Sequence, residues 1–185
     1  MNVQSSMTAR TPPHAQASIS GLVETRPLAQ AEPIVTTHRV TYSNRLKVFI
    51  GPDETVGNFL RPLCRLDGYH RFSVNMTRLS APVAATDITS AISSAPGPSS
   101  VQCTGSAEAL VIEVQTAVEG LARRFTAGLP GSRSGEPNVC IPDGTDFLRV
   151  YPDEVFTAEQ AAEIFATYFE TDDIPAGLQL REIAE

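Results

Sequence analysis

The clearest pattern in this chain is an alternation of hydrophobic and polar positions between residues 109 and 129. Leu110, Ile112 and Val114 fall on one face of an extended chain, while the positions between them are largely polar. Turn residues follow at 119–120, after which hydrophobic positions return at every second or fourth residue. Because strands with one buried face have a period of two, the pattern predicts a β-hairpin over residues 109–129.

Weaker patterns predict further elements on both sides of this hairpin. Short alternating runs predict a hairpin over residues 37–50, a strand at 68–76, two strands around a turn at 143–144, and a closing strand at 178–183. Helical spacing from Val56 predicts a helix that Pro62 limits to one or two turns. Residues 86–93 predict a short helix capped by Thr86 or Asp87.

The segment VYPDEVFTAEQAAEIFATYF, residues 150–169, has the strongest helical pattern. Thr157 followed by Gln160 fits the capping box, so the predicted helix covers residues 158–170. Its apolar residues recur at spacings of three and four and form one stripe, while its glutamates fall outside that stripe. Pro175 and Gly177 are expected to end the helix.

These elements predict two regions. Residues 1–36 contain four prolines and no sustained period, so we expect a disordered Pro-rich tail. Residues 37–185 are expected to form a single α+β domain, because 185 residues suit one domain with a core of its own. We predict a mostly antiparallel sheet of five to seven strands, with the C-terminal amphipathic helix on one face and one or two short helices.

Charge is concentrated at the C-terminal end. The chain has a formal charge of −7, and residues 142–185 contain eleven acidic residues against Arg149 and Arg181, a net charge of −9. Such a charge disfavours nucleic acid and would attract a cationic protein. A solvated helix face that maintains solubility is the competing explanation.

The helix ends give this charge a location. Asp153 and Glu154 precede the helix N-terminus, where the peptide dipoles already favour acids. Asp172 and Asp173 follow its C-terminus, where the dipoles oppose acids, so a binding role is more plausible for this pair.

No motif for a cofactor or for a metal is found, and we expect neither. Three widely spaced cysteines, Cys64, Cys103 and Cys140, are most simply reduced thiols packed as small hydrophobes in a cytoplasmic protein. The chain has no apolar run of about 18 residues, so we expect no membrane span. A Cys140 nucleophile with His70 as its base remains a minor alternative, because such pairs meet in space and not in sequence.

The segments GSAEALVIEVQ, VYPDEVFTAEQAAEIFATYF and IPAGLQLRE, in that order within residues 105–185, resemble small actinobacterial immunity proteins of polymorphic toxin systems, especially the Imm-type family that neutralises deaminase toxins. The resemblance implies a non-catalytic cytoplasmic protein that binds a basic toxin domain and blocks its active site. The expected contact residues are then Asp153, Glu154, Asp172 and Asp173, with Tyr151 as an aromatic anchor. The alternatives are a subunit of a larger assembly that docks through the Pro-rich tail, and a small Cys-dependent enzyme.

Overall fold

The computed structural model describes residues 33–183. Most of the predicted tail lies outside the described residues, but Val35 and Thr36 already belong to the first strand. The strands are β1 (Val35–Tyr42), β2 (Leu46–Ile50), β3 (Ser73–Ala84), β4 (Ser100–Ser106), β5 (Ala109–Val118), β6 (Leu121–Gly128), β7 (Val139–Asp143), β8 (Asp146–Val150) and β9 (Gln179–Glu182). The helices are α1 (Val56–Leu63), α2 (Ser90–Ser94) and α3 (Ala158–Thr171), with 3₁₀ turns at Ala85–Asp87 and Pro152–Glu154.

Seven of the strands form one antiparallel sheet in the order β2-β1-β3-β4-β5-β6-β9, and β7 and β8 form a separate two-stranded ribbon. The predicted α+β class and the mostly antiparallel sheet are confirmed. β9 pairs with β6 although the ribbon and α3 lie between them in sequence. No helix in the described part of the chain is long and apolar enough to cross a membrane.

The helices α1 and α3 contribute to the core on one face of the large sheet. Phe59 of α1 and Phe165 of α3 are buried in the same cluster as Met76 and Ile112 of the sheet. Small alanines on the buried face of α3, such as Ala161, let the helix approach the strands closely. Each large apolar side chain buried in this layer stabilises the fold by roughly 1.5–3 kcal/mol.

The opposite face of the sheet is polar over most of its width. The strand register aligns one cross-strand row of polar side chains over five neighbouring strands, namely Asn75, Gln102, Glu113, Thr126 and Arg181. The β7–β8 ribbon covers part of this face, where Val111, Ile141 and Val150 form a small second core. The sheet is therefore buried by apolar contacts on both faces under the ribbon.

The region between the first hairpin and β5 differs from the sequence prediction. The strand predicted at 68–76 begins only at Ser73 and runs on to Ala84, and β4 follows it without having been predicted. The short helix α2 is capped by Thr89, whose side chain accepts from the Ile92 amide, and not by Thr86 or Asp87. The sequence signal for β4 is weak because this strand has only two apolar side chains on its buried face and polar ones on the other.

The start of α3 is as predicted and its end lies one residue beyond the predicted one, but Pro175 and Gly177 are not what ends it. The Thr157 hydroxyl accepts from the Gln160 amide and the Gln160 side chain accepts from the Thr157 amide, which completes the capping box. The helix ends at Thr171, before Pro175 and Gly177, because Asp172 adopts the left-handed conformation with φ 60°.

Candidate functional site

The five residues expected to contact a partner lie in two groups at opposite ends of α3. Tyr151, Asp153 and Glu154 precede the helix, while Asp172 and Asp173 follow it. A helix of 14 residues is about 21 Å long, so the two groups are not parts of one compact site. Each group therefore has to be considered by itself.

Glu154 is the centre of the first group and is fully buried. Its carboxylate accepts from Arg181 Nε at 2.7 Å, from Arg181 Nη2 at 2.9 Å and from the Tyr151 amide at 2.9 Å. The register of β9 with β6 places Arg181 opposite Thr126, which directs its guanidinium to this carboxylate. The expectation that Glu154 contacts a partner needs correction, because its charge is compensated inside the protein.

Asp153 and Tyr151 are also held by arginines. Arg133 Nε donates to Asp153 at 2.8 Å, and the guanidinium groups of Arg133 and Arg181 lie 5.6 and 5.5 Å from the centre of the Tyr151 ring. The Tyr151 hydroxyl donates to the carbonyl of Gly135. Two carboxylates and two guanidinium groups thus form a neutral network that anchors the 129–138 loop to the segment just before α3.

Asp172, in the second group, also has internal partners. Its Oδ1 accepts from Arg78 Nη1 at 2.6 Å and lies 3.4 Å from Nε2 of the buried His38. Burial, followed by the positive charge of Arg78, lowers the pKa of His38. No local feature of the sequence explains an acid at this position, but the structure does, because Asp172 compensates the Arg78 cation of β3.

Asp173 keeps an exposed carboxylate with no cation within 4.0 Å among the described residues. It follows three exposed glutamates on the outer face of α3, namely Glu159, Glu163 and Glu170. At 100° per residue these three glutamates fall within about 40° of one another on the helix. We call these four residues the acidic stripe.

No residue of the acidic stripe takes part in an ion pair within residues 33–183. The backbone amide of Glu159 and the hydroxyl of Thr157 lower the pKa of the Glu159 carboxyl. Asp153, Glu154 and Asp172 are compensated, whereas the negative charge along the stripe is not. The exposed acidic surface therefore lies mainly along the side of α3, with Asp173 as its one member at a helix end.

Sequence reasoning missed the cations that compensate the end groups. Arg133, Arg181 and Arg78 are 20, 27 and 94 residues from the acids that they contact. No local pattern links such positions, since each contact depends on strand register or on the path of a loop. The glutamates of the stripe, in contrast, were already separated from the apolar face by helical period alone.

The cysteines differ from the expectation that all three are packed. Cys103 is buried, and burial raises the pKa of its thiol to about 12, but Cys64 and Cys140 are exposed. In the described range, neither Cys140 nor the ring of His70 takes part in a side-chain hydrogen bond, and no group of three or more potential metal ligands is found. His70 lies in the loop before β3 and not in a strand.

No known protein-family model matches this chain, and no curated protein matches it either.

Proposed function

We propose that this protein is a non-catalytic, cytoplasmic inhibitor of the immunity type, and that it binds a basic toxin domain through the acidic stripe of α3. The observation that best supports this proposal is the row of uncompensated carboxylates on an exposed helix face. The resemblance of residues 105–185 to immunity proteins points to the same class of partner. Toxins that act on nucleic acids or nucleotides have basic clefts, to which an acidic surface is electrostatically complementary.

The geometry of the stripe suits a cleft-shaped partner. Glu159 and Glu170 are eleven residues apart, so their backbones are separated by about 16 Å along the helix axis. The helix is rigid, since its other face is buried in the core through residues such as Phe165 and Tyr168. A partner would meet charges whose positions are already fixed, which reduces the entropy lost on binding.

The neutral network around Glu154 supports this function indirectly. It ties the beginning of α3 to β9 and to the 129–138 loop through Arg181 and Arg133. The helix that presents the stripe is thus held at its start by the network and at its end by the Asp172 to Arg78 ion pair. We assign Asp153, Glu154 and Asp172 to positioning α3 and the acidic stripe to contact.

The test uses the protein encoded next to this gene, which an immunity protein should neutralise. The full chain should form a complex with that protein and abolish its toxicity on co-expression. Replacing Glu163 and Glu170 by Lys should lower the association rate at least about tenfold and weaken its dependence on salt, because charges on the rim act mainly on encounter.

The matched control changes the charge by the same amount at a different place. Glu119 and Glu136 are exposed and lie outside α3, so the Glu119→Lys/Glu136→Lys variant should bind almost as well as the unchanged protein. Equal losses in both double variants would indicate an effect of net charge alone. If the neighbouring protein neither binds nor is neutralised, the proposed function is wrong.

A further inference from the structure

A cavity of about 440 Å³ lies between α1, the β1–β2 turn and the loop that precedes β3. Four arginines line it, namely Arg45, Arg61, Arg65 and Arg71, together with His70. No acidic residue is among its lining residues. The cavity is separate from the acidic stripe and has the opposite charge.

These arginines differ from others in the described domain. Five arginines elsewhere form ion pairs with carboxylates, namely Arg78, Arg123, Arg124, Arg133 and Arg181. None of the four at the cavity has a carboxylate within 4.0 Å in the range 33–183. Six arginines in this range have no carboxylate partner, and four of them line this one cavity, while Arg39 and Arg149 lie elsewhere.

The backbone that carries Arg71 and His70 is fixed before any ligand binds. Asp67 Oδ1 accepts from the amides of Tyr69, His70 and Arg71 at 2.9, 2.8 and 3.0 Å. These amide hydrogen bonds lower the pKa of the Asp67 carboxyl, which holds it in the ionised form that accepts them. The loop is thus preorganised, which reduces the cost of binding.

The turn that carries Arg45 is held against the same loop. Ser43 and Asn44 both have positive φ, 44° and 58°, as the two central residues of a tight hairpin turn require. The buried Ser43 hydroxyl accepts from the Phe72 amide at 3.0 Å, and the Ser43 amide donates to the carbonyl of Ser73. Two separate segments of the chain are therefore joined to form one wall.

The remaining wall places like charges next to each other. Arg61 and Arg65 are four residues apart, and the amide of Arg65 donates to the carbonyl of Pro62, so the helical turn continues between them. Like charges at this spacing repel each other. An anion bound between them would remove that repulsion.

The cavity also has an apolar part, formed by Tyr42, Leu46, Pro62 and Leu66. Guanidinium groups match phosphate geometry in a planar, bidentate manner, and cavities of this volume bind small organic molecules. We propose that this cavity is a binding site for a phosphorylated small molecule of the mononucleotide class, with its phosphates on the arginines and its ring on the apolar part.

A second cleft next to this cavity determines which arginines take the phosphates. Arg45 and His70 also line that cleft, where Asp143 and Asp146 are located. Their negative charge disfavours a phosphate on that side. The phosphates are therefore assigned to Arg61, Arg65 and Arg71, on the side of α1.

Isothermal titration calorimetry on the full chain tests the site, with ADP, pyrophosphate and adenosine as separate probes. ADP should bind most tightly, pyrophosphate more weakly, and adenosine not measurably. Arg61→Gln and Arg65→Gln should each weaken ADP binding about tenfold, because each removes a charge-assisted contact. Arg149→Gln is the matched control, since Arg149 is exposed, lies outside the cavity and has no ion-pair partner among the described residues.

Three results would overturn the proposal. Absence of binding of ADP and pyrophosphate at millimolar concentrations would exclude the site. An equal loss in Arg149→Gln would show that only net charge attracts the anion. Pyrophosphate binding as tightly as ADP would remove the mononucleotide class and its apolar subsite. This site does not depend on the toxin-binding proposal, because its probes are small molecules and its variants lie outside α3.

Discussion

Replacing Glu154 by Gln tests whether the first group of predicted contact residues is structural. The substitution keeps the size of the side chain but removes its charge. The glutamine oxygen can still accept one of these hydrogen bonds, but the NH₂ group then takes the place of a carboxylate oxygen and faces a donor of Arg181. In the native protein, Glu154 Oε1 lies 2.7 Å from Arg181 Nε. Two donors would meet in a site where the glutamate side chain is fully buried.

The size of the effect follows from the contacts. Breaking a buried ion pair by removing one partner costs about 3–5 kcal/mol. Arg181 and Arg133 keep 31% and 19% of their side chains exposed, so both can regain part of their hydration. We therefore expect the low end, about 3 kcal/mol of the free energy of unfolding. With a slope of about 2 kcal/mol per M for urea, the midpoint should fall by about 1.5 M.

Equilibrium urea unfolding at neutral pH, followed by far-UV circular dichroism, measures this shift. Glu182→Gln is the control, because its ion pair with Arg123 is exposed and should contribute only about 0.5 kcal/mol. A loss below about 1 kcal/mol in Glu154→Gln would refute the structural role. If the loss is large and the folded variant still binds the partner, the positioning role is supported.

Three further predictions concern His38, Thr157 and Cys103. Burial holds the pKa of His38 below 6.5, so the unfolded chain takes up a proton that the native chain does not. Unfolding experiments should therefore show the free energy of unfolding decreasing as the pH falls from 7 through 6.5. His38→Gln should flatten this decrease. Thr157→Ala removes the side-chain cap of α3 and should cost about 1 kcal/mol in urea unfolding. Maleimide should label the exposed Cys64 and Cys140 in the native protein and Cys103 only after unfolding, because burial raises the pKa of the Cys103 thiol to about 12. Rapid labelling of all three cysteines in the native protein would contradict this prediction.

The elements with a regular pattern were predictable. The β5–β6 hairpin, the β1–β2 hairpin, the β7–β8 pair and α3 all occur where alternation, helical period or the capping box placed them. In each case the signal is local, since a buried face or a cap is encoded within the element itself. β4 lacked such a signal, because its outer face is polar and its inner face has only Val101 and Cys103 as apolar residues.

The candidate site was predictable only in part. An acidic, exposed face of α3 followed from the period of its glutamates, and that face is present as the acidic stripe. The internal partners of Asp153, Glu154 and Asp172 could not be found from sequence. Their partners come from distant strands and loops, and whether an exposed-looking acid is compensated depends on those partners.

The sequence by itself determined the secondary structure of most of the sheet, the amphipathic helix and the concentration of negative charge near the C-terminus. Only the tertiary structure decided which charges remain available. Strand register brings Arg181 to Glu154, and the long path of β3 brings Arg78 to Asp172. The same folding gathers four uncompensated arginines around one cavity. The physical reason is that hydrophobic period is a local property of a chain, whereas the pairing of charges is a property of positions that are far apart in sequence.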